Sequence, residues 1–96
     1  MRLRYTLEGA AELDTVLTYI EQKSLQGGRN VQHRIQDLTQ LLLQYPHIGK
    51  PTSDRRLRRV LAAPYPYLIF YQATVNEIII HGVRHTARNP MTMPGH

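Results

Sequence analysis

Cysteine is absent from this 96-residue chain, which excludes a disulfide framework and a metal site built on thiolates. The absence also fits a reducing compartment. No run of about 18 apolar residues occurs, so no transmembrane helix is expected. The basic start MRLR is followed by acidic residues instead of the apolar segment of a signal peptide. We therefore expect a cytoplasmic protein with no membrane association.

Acidic residues are scarce in the second half of the chain. Residues 1–44 carry five basic and five acidic side chains, whereas residues 45–96 carry seven basic and two acidic ones. The whole net charge of +5 therefore lies beyond residue 44. Clustered positive charge indicates an anionic partner, either nucleic acid or an acidic protein surface. The alternative is that the charge serves solubility alone.

Hydrophobic periodicity predicts a short strand and then two helices. The segment MRLRYT alternates apolar and polar residues, which is typical of a strand. Two amphipathic stripes follow at three- and four-residue spacing, namely Ala10, Leu13, Leu17 and Ile20, then Val31, Ile35, Leu38, Leu42 and Tyr45. Thr6 can cap the first helix, and we expect Gly27-Gly28 to end it. Pro46 ends the second helix, and the leucines and isoleucines of both are predicted to pack in the core.

The remaining segments predict three strands, at residues 57–61, 66–73 and about 78–83. In the last strand, alternation places Ile78, Ile80 and Gly82 on one face and Ile79, His81 and Val83 on the other. The predicted fold is α+β with the order β-α-α-β-β-β. An N-terminal helical hairpin packs on one face of a small, mainly antiparallel sheet. We expect a single domain over residues 1–90 and a flexible tail over residues 91–96.

Few arrangements for catalysis are present. No glycine-rich phosphate loop, nucleophile–base set or carboxylate pair is apparent. His81 and His85 lie at a strand end, where their spacing suits a metal poorly, so neither a metal nor a cofactor is predicted. What remains is a basic and aromatic group: Arg58, Arg59, Tyr65, Tyr67, Tyr71, His81, Arg84, His85 and Arg88. Such residues can bind phosphate, cleave RNA without a metal, or contact an acidic protein. Alternatively, the tyrosines pack the sheet and the last arginines are a solvated strand end.

Four segments, taken in order, resemble the RelE/ParE family of bacterial toxins from type II toxin–antitoxin systems, which includes plasmid stabilisation proteins. The helix opening AAELDTVLTYI and the segment RRLRRVLAAPYPYLIFY are similar to the family's first helix and to its basic and aromatic strands. The other two matches are a Pro-x-x-Gly-Lys-Pro turn and a Val-x-His-x-x-Arg ending, formed by Pro46, Gly49, Lys50, Pro51, Val83, His85 and Arg88. The resemblance covers about residues 3–90.

The resemblance implies a growth-inhibiting toxin that a cognate antitoxin neutralises in a hetero-oligomer. The ParE-like branch poisons DNA gyrase and is not a nuclease, whereas the RelE-like branch cleaves mRNA on the ribosome as a metal-independent endonuclease (an mRNA interferase). Ala62, Ala63 and Thr86 stand where RelE-like members often have arginines, which favours the ParE-like branch and gyrase inhibition. A non-toxic nucleic-acid-binding module is a further alternative.

The expected contacts to target or antitoxin are Arg58, Arg59, Tyr65, Arg84, His85 and Arg88. No catalytic residue is assigned; if the protein is a nuclease, the candidates are Arg59, Tyr65, Arg84, His85 and Arg88. The antitoxin should present an acidic, amphipathic segment to the basic strands or to the helical hairpin.

Overall fold

A computed structural model describes residues 1–87. The elements in chain order are β1 (Arg2–Tyr5), α1 (Leu7–Lys23), α2 (Leu25–Gln44), β2 (Lys50–Pro51), β3 (Arg58–Leu61), β4 (Tyr67–Ala73) and β5 (Glu77–His85). The strands form one sheet in the order β1-β5-β4-β3-β2. β1 runs parallel to β5, and the other neighbours are antiparallel. The predicted α+β fold and element order are confirmed, with β2 as an addition. Arg88 and the predicted tail at residues 91–96 lie outside the described residues.

Most residues of the stripes predicted from periodicity lie between the helices and the sheet, but Ala10, Leu41 and Tyr45 are exposed, so the prediction is wrong for these three. Val31, Ile35, Leu38 and Leu42 of α2 are buried and join one cluster with Ile69 and other sheet residues. Thr6 caps α1 as predicted, because its Oγ1 accepts a 2.9 Å hydrogen bond from the Gly9 N–H. No helix within residues 1–87 combines the length and the apolar character that a membrane crossing requires.

The joint between the helices lies earlier than predicted. The prediction that Gly27-Gly28 ends α1 is wrong, because α1 ends at Lys23. Ser24 is the joint: its N–H donates to the Ile20 carbonyl, and its Oγ accepts the Gly27 N–H at 2.9 Å. Both glycines lie inside α2. A Cβ on Gly28 would lie 2.4 Å from Cγ of Glu21. Gly28 is therefore needed for the close approach of α1 and α2, and a serine that serves both helix ends makes the turn.

A register shift in the sheet overturns the predicted alternation of β5. Phe70 pairs with Gly82 while Tyr71 pairs with Ile80, so His81 is an extra residue on β5. This β-bulge turns Val83 to the side of Ile78 and Ile80, and Val83 is buried in the helix-side cluster. The prediction that Val83 shares a face with Ile79 is therefore wrong, because a strict period of two cannot continue through an inserted residue.

Candidate functional site

The turn between α2 and β3 is held by a buried tyrosine. The Tyr71 hydroxyl accepts the Gly49 N–H at 2.9 Å and donates to the Pro46 carbonyl at 2.8 Å. Arg58 adds two further hydrogen bonds, because its Nη1 donates to the carbonyls of Gly49 and His47 at 2.8 and 3.2 Å. Burial raises the pKa of the Tyr71 phenol above its ordinary value, so the hydroxyl stays protonated and can donate. The Pro-x-x-Gly-Lys-Pro segment is thus a fixed support that places β2 beside β3.

Arg58 and Arg59 are neighbours on β3, so their side chains point to opposite faces of the sheet. Arg58 is opposite Tyr71 and is engaged by the turn, whereas Arg59 is opposite Phe70 and Lys50. Lys50 and Arg59 are therefore cross-strand neighbours on β2 and β3, and the repulsion between their like charges lowers stability. Such a like-charge pair is suited to bind an anionic group.

Lys50 and Arg59 belong to a surface on the side of the sheet that the helices leave uncovered. We define the open-face patch as Ile48, Lys50, Arg59, Leu61 and Leu68. With Val60 and Thr86 they line a shallow depression of ≈ 450 Å³. Ile48 and Leu61 are 48% and 46% exposed, which is high for large aliphatic side chains. The patch thus combines apolar area with positive charge, as protein-binding surfaces do.

Arg84 is held against α1. β1 ends opposite Ile80, so no strand of residues 1–87 covers the later part of β5 on that side. Glu12 occupies this position: its carboxylate accepts the Val83 N–H at 3.0 Å and binds the Arg84 guanidinium at 2.9 Å. The Arg84 side chain is only 22% exposed. Its charge is therefore largely compensated within the molecule.

His85 and Tyr65 lie on the helix side of the sheet. The His85 ring packs edge-on against Tyr67 with centroids 5.3 Å apart, and its Nδ1 accepts the Ala87 N–H at 2.9 Å. The rings of Tyr67 and His85 line a depression of ≈ 400 Å³, together with Thr15, Val16 and the exposed Tyr19. Tyr65 is half-buried and packs against the core cluster. Tyr65 and Tyr67 therefore contribute to packing, in agreement with the alternative prediction that the tyrosines pack the sheet.

His81, the extra residue of the bulge, has its Nε2 3.1 Å from Oε1 of Gln72. Burial lowers the pKa of its imidazole, and the nearby cations Arg56 and Arg4 lower it further. His81 therefore takes up a proton less readily than an ordinary histidine. Residues 1–87 contain no group of three His, Asp or Glu side chains arranged to hold a metal ion.

The residues predicted to form one basic cluster therefore occupy separate places in the part of the chain that the structure describes. Arg58 supports the turn, Arg59 lies on the open face, Arg84 binds Glu12, and His85 with Tyr65 faces the helices. Arg88 lies beyond the described residues. Lys50, which lies opposite Arg59, was not among the predicted contact residues, because a two-residue strand has too little periodicity to be recognised. The sequence signal that could have indicated Lys50 is a basic residue directly after Gly49 in the Pro-x-x-Gly-Lys-Pro turn.

The comparisons with known proteins agree with this architecture. Residues 3–90 match the family model described as the ParE toxin of the type II toxin–antitoxin system parDE. Y4kP of Sinorhizobium fredii, a candidate toxin, is 32% identical over 71 residues, which are 74% of each chain. A solved chain of the chromosomal ParDE toxin–antitoxin system from P. aeruginosa shares the fold with a TM-score of 0.64 at 19% identity, over 88% of this chain and 95% of that one. The chain therefore belongs to the ParE toxin family of type II toxin–antitoxin systems.

Proposed function

We propose that this toxin inhibits growth by poisoning DNA gyrase through its open-face patch, and that a cognate antitoxin neutralises it. The ParE family model over residues 3–90 supports this reading. Resemblance to the ParE-like branch implies gyrase as the target and no nuclease activity. The protein then acts by binding, with no chemical step of its own.

The observation that carries the proposal is that, within residues 1–87, cations of the predicted basic group are engaged by other parts of the molecule and separated from one another. Catalysis of phosphodiester cleavage needs several donors aimed at one phosphate group. Arg84 is bound to Glu12 and Arg58 to the Gly49 and His47 carbonyls. Ala62, where RelE-like members often carry an arginine, is fully buried and offers only a methyl group. Arg59 of β3 is then the cation of this group that faces the open-face patch. A single arginine there suits contact with a partner better than catalysis.

The chemistry of the open-face patch favours a protein over nucleic acid. Its apolar members are the aliphatic residues Ile48, Leu61 and Leu68, whereas single-stranded nucleic acid is bound by aromatic rings on which bases stack. Lys50 and Arg59 supply charge that complements carboxylates. We therefore expect an acidic, partly apolar surface of gyrase to occupy the patch.

Inhibition of supercoiling by purified gyrase tests the proposal. Wild-type protein should inhibit supercoiling. The double variant Lys50→Glu/Arg59→Glu should need at least about tenfold more protein for the same effect, which corresponds to about 1.4 kcal/mol of binding free energy. The matched control is Arg29→Glu/Arg55→Glu, which reverses two exposed cations outside the patch and should inhibit like wild type. Circular dichroism melts establish that all variants are folded.

The two alternatives have distinct outcomes. If the toxin leaves supercoiling unchanged at stoichiometric excess and primer extension shows cuts at the ribosomal A site, the protein is an mRNA endonuclease and the proposal fails. If induced expression without a partner leaves growth unaffected, a non-toxic nucleic-acid-binding module replaces both toxin mechanisms. Equal inhibition by the patch variant and wild type would remove the open-face patch from the mechanism.

A further inference from the structure

The C-terminal end of α2 lacks charged residues. No Asp, Glu, Lys or Arg occurs between Asp37 and Lys50, and the last turn of α2 has no basic residue, although the helix dipole would favour a positive charge there. Leu41 and Tyr45 are 39% and 56% exposed, and the exposed Ile48 follows in the turn. This surface therefore has the composition of an interface centre, where charged residues are depleted and aromatic residues are enriched.

The three exposed apolar side chains belong to one continuous surface. Leu41 and Tyr45 are four residues apart, so they are neighbours on the same flank of α2. The Ile48 N–H donates to the Tyr45 carbonyl at 3.3 Å, which keeps the turn close to the helix end. We define the α2 ridge as Leu41, Tyr45 and Ile48. Single exposed apolar residues are common on protein surfaces, whereas a contiguous group of large ones marks an interaction site.

The flank of α2 that carries the ridge lies towards the end of β3. Arg34 precedes Leu41 by seven residues, which is nearly two helical turns, and so lies on the same flank. Its Nε donates to the carbonyl of Ala63, just beyond β3, at 2.6 Å. The ridge therefore borders the outer margin of β3.

That margin is open beyond the short strand β2, which pairs only with Arg58 and Arg59. The Ala62 N–H donates to the Tyr67 carbonyl at the start of β4. Because backbone groups alternate in direction along a strand, the N–H and C=O of Leu61 point the other way, to the side of β2. Within residues 1–87 no strand lies opposite Leu61 on that side. A partner would therefore meet apolar side chains and backbone hydrogen-bonding groups at the same margin.

The turn that carries the ridge is fixed before any partner binds. The Tyr71 hydroxyl is bonded to the Gly49 N–H and the Pro46 carbonyl, and Arg58 donates to the Gly49 carbonyl. Ile48 lies within this turn, and Tyr45 directly precedes it. A preorganised apolar surface loses little conformational freedom on binding, so more of the free energy of burial contributes to affinity.

We infer that the α2 ridge is the second half of the surface by which this toxin binds its protein target, and that Tyr45 is the anchor residue. The inference rests on the proposed function and extends the contact from the open-face patch around the turn to α2. Ile48 belongs to both surfaces, so the two are continuous. The occupant is an apolar recess of gyrase bordered by carboxylates. The carboxylates face Lys50 and Arg59, and the Tyr45 ring fills the recess.

Other occupants fit the ridge less well. Nucleic acid is bound largely through its phosphates, which require cations, and the ridge has none. In a symmetric pair of copies of this chain, the adjoining Lys50 and Arg59 would approach the same cations of the other copy. Like charges at an interface act against the wrong partner, so self-association is disfavoured.

Tyr45→Ala tests the anchor in the supercoiling assay with purified gyrase. The variant should need at least about tenfold more protein than wild type for equal inhibition, which corresponds to about 1.4 kcal/mol. Tyr19→Ala is the matched control, because Tyr19 also lies on a helix and is also 56% exposed, but lies outside the ridge. It should inhibit like wild type.

A leucine pair keeps the test decisive if Tyr45→Ala fails to fold. Leu41→Gln preserves the helix, since glutamine is a good helix former. It should weaken inhibition at least about threefold, because it removes less apolar area than the loss of the tyrosine ring. Leu25→Gln, at an exposed leucine at the other end of α2, should have no effect. Thermal melts establish that the variants are folded.

Three results would overturn the inference or separate it from the proposed function. If wild type inhibits gyrase and folded Tyr45→Ala and Leu41→Gln inhibit it equally well, the ridge is not a target contact, and the proposed function stands. If wild type leaves supercoiling unchanged, the proposed function fails, and growth after induction decides on the ridge. Loss of toxicity in Tyr45→Ala but not in Tyr19→Ala supports it, whereas equal growth of the two strains overturns it. A dimer that Tyr45→Ala converts to a monomer in analytical ultracentrifugation would identify a second copy as the occupant and would also overturn it.

Discussion

The hydroxyl of Tyr71 and the backbone of Gly49 fit together so closely that neither residue can be changed without disturbing the other. The hydroxyl accepts the Gly49 N–H at 2.9 Å, and a Cβ built on Gly49 would lie 2.7 Å from the Tyr71 ring and 2.9 Å from the Arg59 carbonyl. This contact holds the turn that carries Ile48 and Lys50, and hence part of the open-face patch.

We expect Gly49→Ala to lower the free energy of unfolding by about 1–3 kcal/mol, because a Cβ overpacks against a buried ring and a backbone carbonyl. Urea denaturation measures the loss. The control is Gly27→Ala, whose Cβ would have its nearest contacts at 3.3–3.4 Å. That change should be neutral or stabilising, since alanine is the better helix former. Equal effects of the two changes would contradict the role assigned to Gly49.

Tyr71→Phe should destabilise the protein by about 1–3 kcal/mol, because it leaves the Gly49 N–H and the Pro46 carbonyl without their partner. The measurement is again urea denaturation. Tyr45→Phe, at a side chain that is 56% exposed, should change stability little. If the two variants were equally stable, the turn would not depend on the hydroxyl.

Neighbouring arginines on β3 should separate stability from function. Arg58→Ala should lower the free energy of unfolding by about 1.5–3 kcal/mol, since it removes a charged donor from two carbonyls. Arg59→Ala should leave stability nearly unchanged but weaken gyrase inhibition. Thermal melts and supercoiling assays on both variants check this. A destabilised Arg59→Ala with a stable Arg58→Ala would reverse the assignment.

Glu12 should matter more than the arginine it binds. Glu12→Ala leaves the partly buried Val83 N–H without its hydrogen-bond acceptor and should lower the free energy of unfolding by about 1–3 kcal/mol. Arg84→Met retains that hydrogen bond and should cost no more than about 1 kcal/mol, as is typical of partly exposed ion pairs. Urea denaturation of the two single variants and the double variant gives the coupling. Loss of toxicity in a stable Arg84→Met variant would restore Arg84 as a functional contact.

Stability should fall in alkaline solution. Burial raises the pKa of the phenols of Tyr5, Tyr67 and Tyr71 above the ordinary value of 10.0. The unfolded chain therefore releases these protons at lower pH than the folded one, so it binds fewer protons there and stability declines with pH. The stabilisation is complete below about pH 10 and is lost as the pH rises through the higher folded values. Urea denaturation across this range measures the decline, and Tyr5→Phe should make it shallower; a constant free energy would contradict it.

The order of the elements and the helix-side core were predictable because they depend on local periodicity. The stripe from Val31 to Leu42 repeats every three or four residues, and its members are buried against the sheet. The joint at Ser24 and the bulge at His81 were not predictable in the same way. Glycine at positions 27 and 28 is compatible with a helix end and with close helix packing, and only the hydrogen bonds of Ser24 and the contact of Gly28 with Glu21 decide between them.

The amino-acid sequence by itself determined the α+β class, the helical hairpin, the excess of positive charge beyond residue 44 and the resemblance to RelE/ParE toxins, because composition and short-range periodicity carry this information. Tertiary structure alone decided which cations are engaged and which are exposed. Glu12 and Arg84 are 72 residues apart in the chain, as Gly49 and Tyr71 are 22 apart. Such pairings depend on how strands and helices meet in space, so a single basic cluster in the sequence became a support for a turn, an ion pair and an open patch.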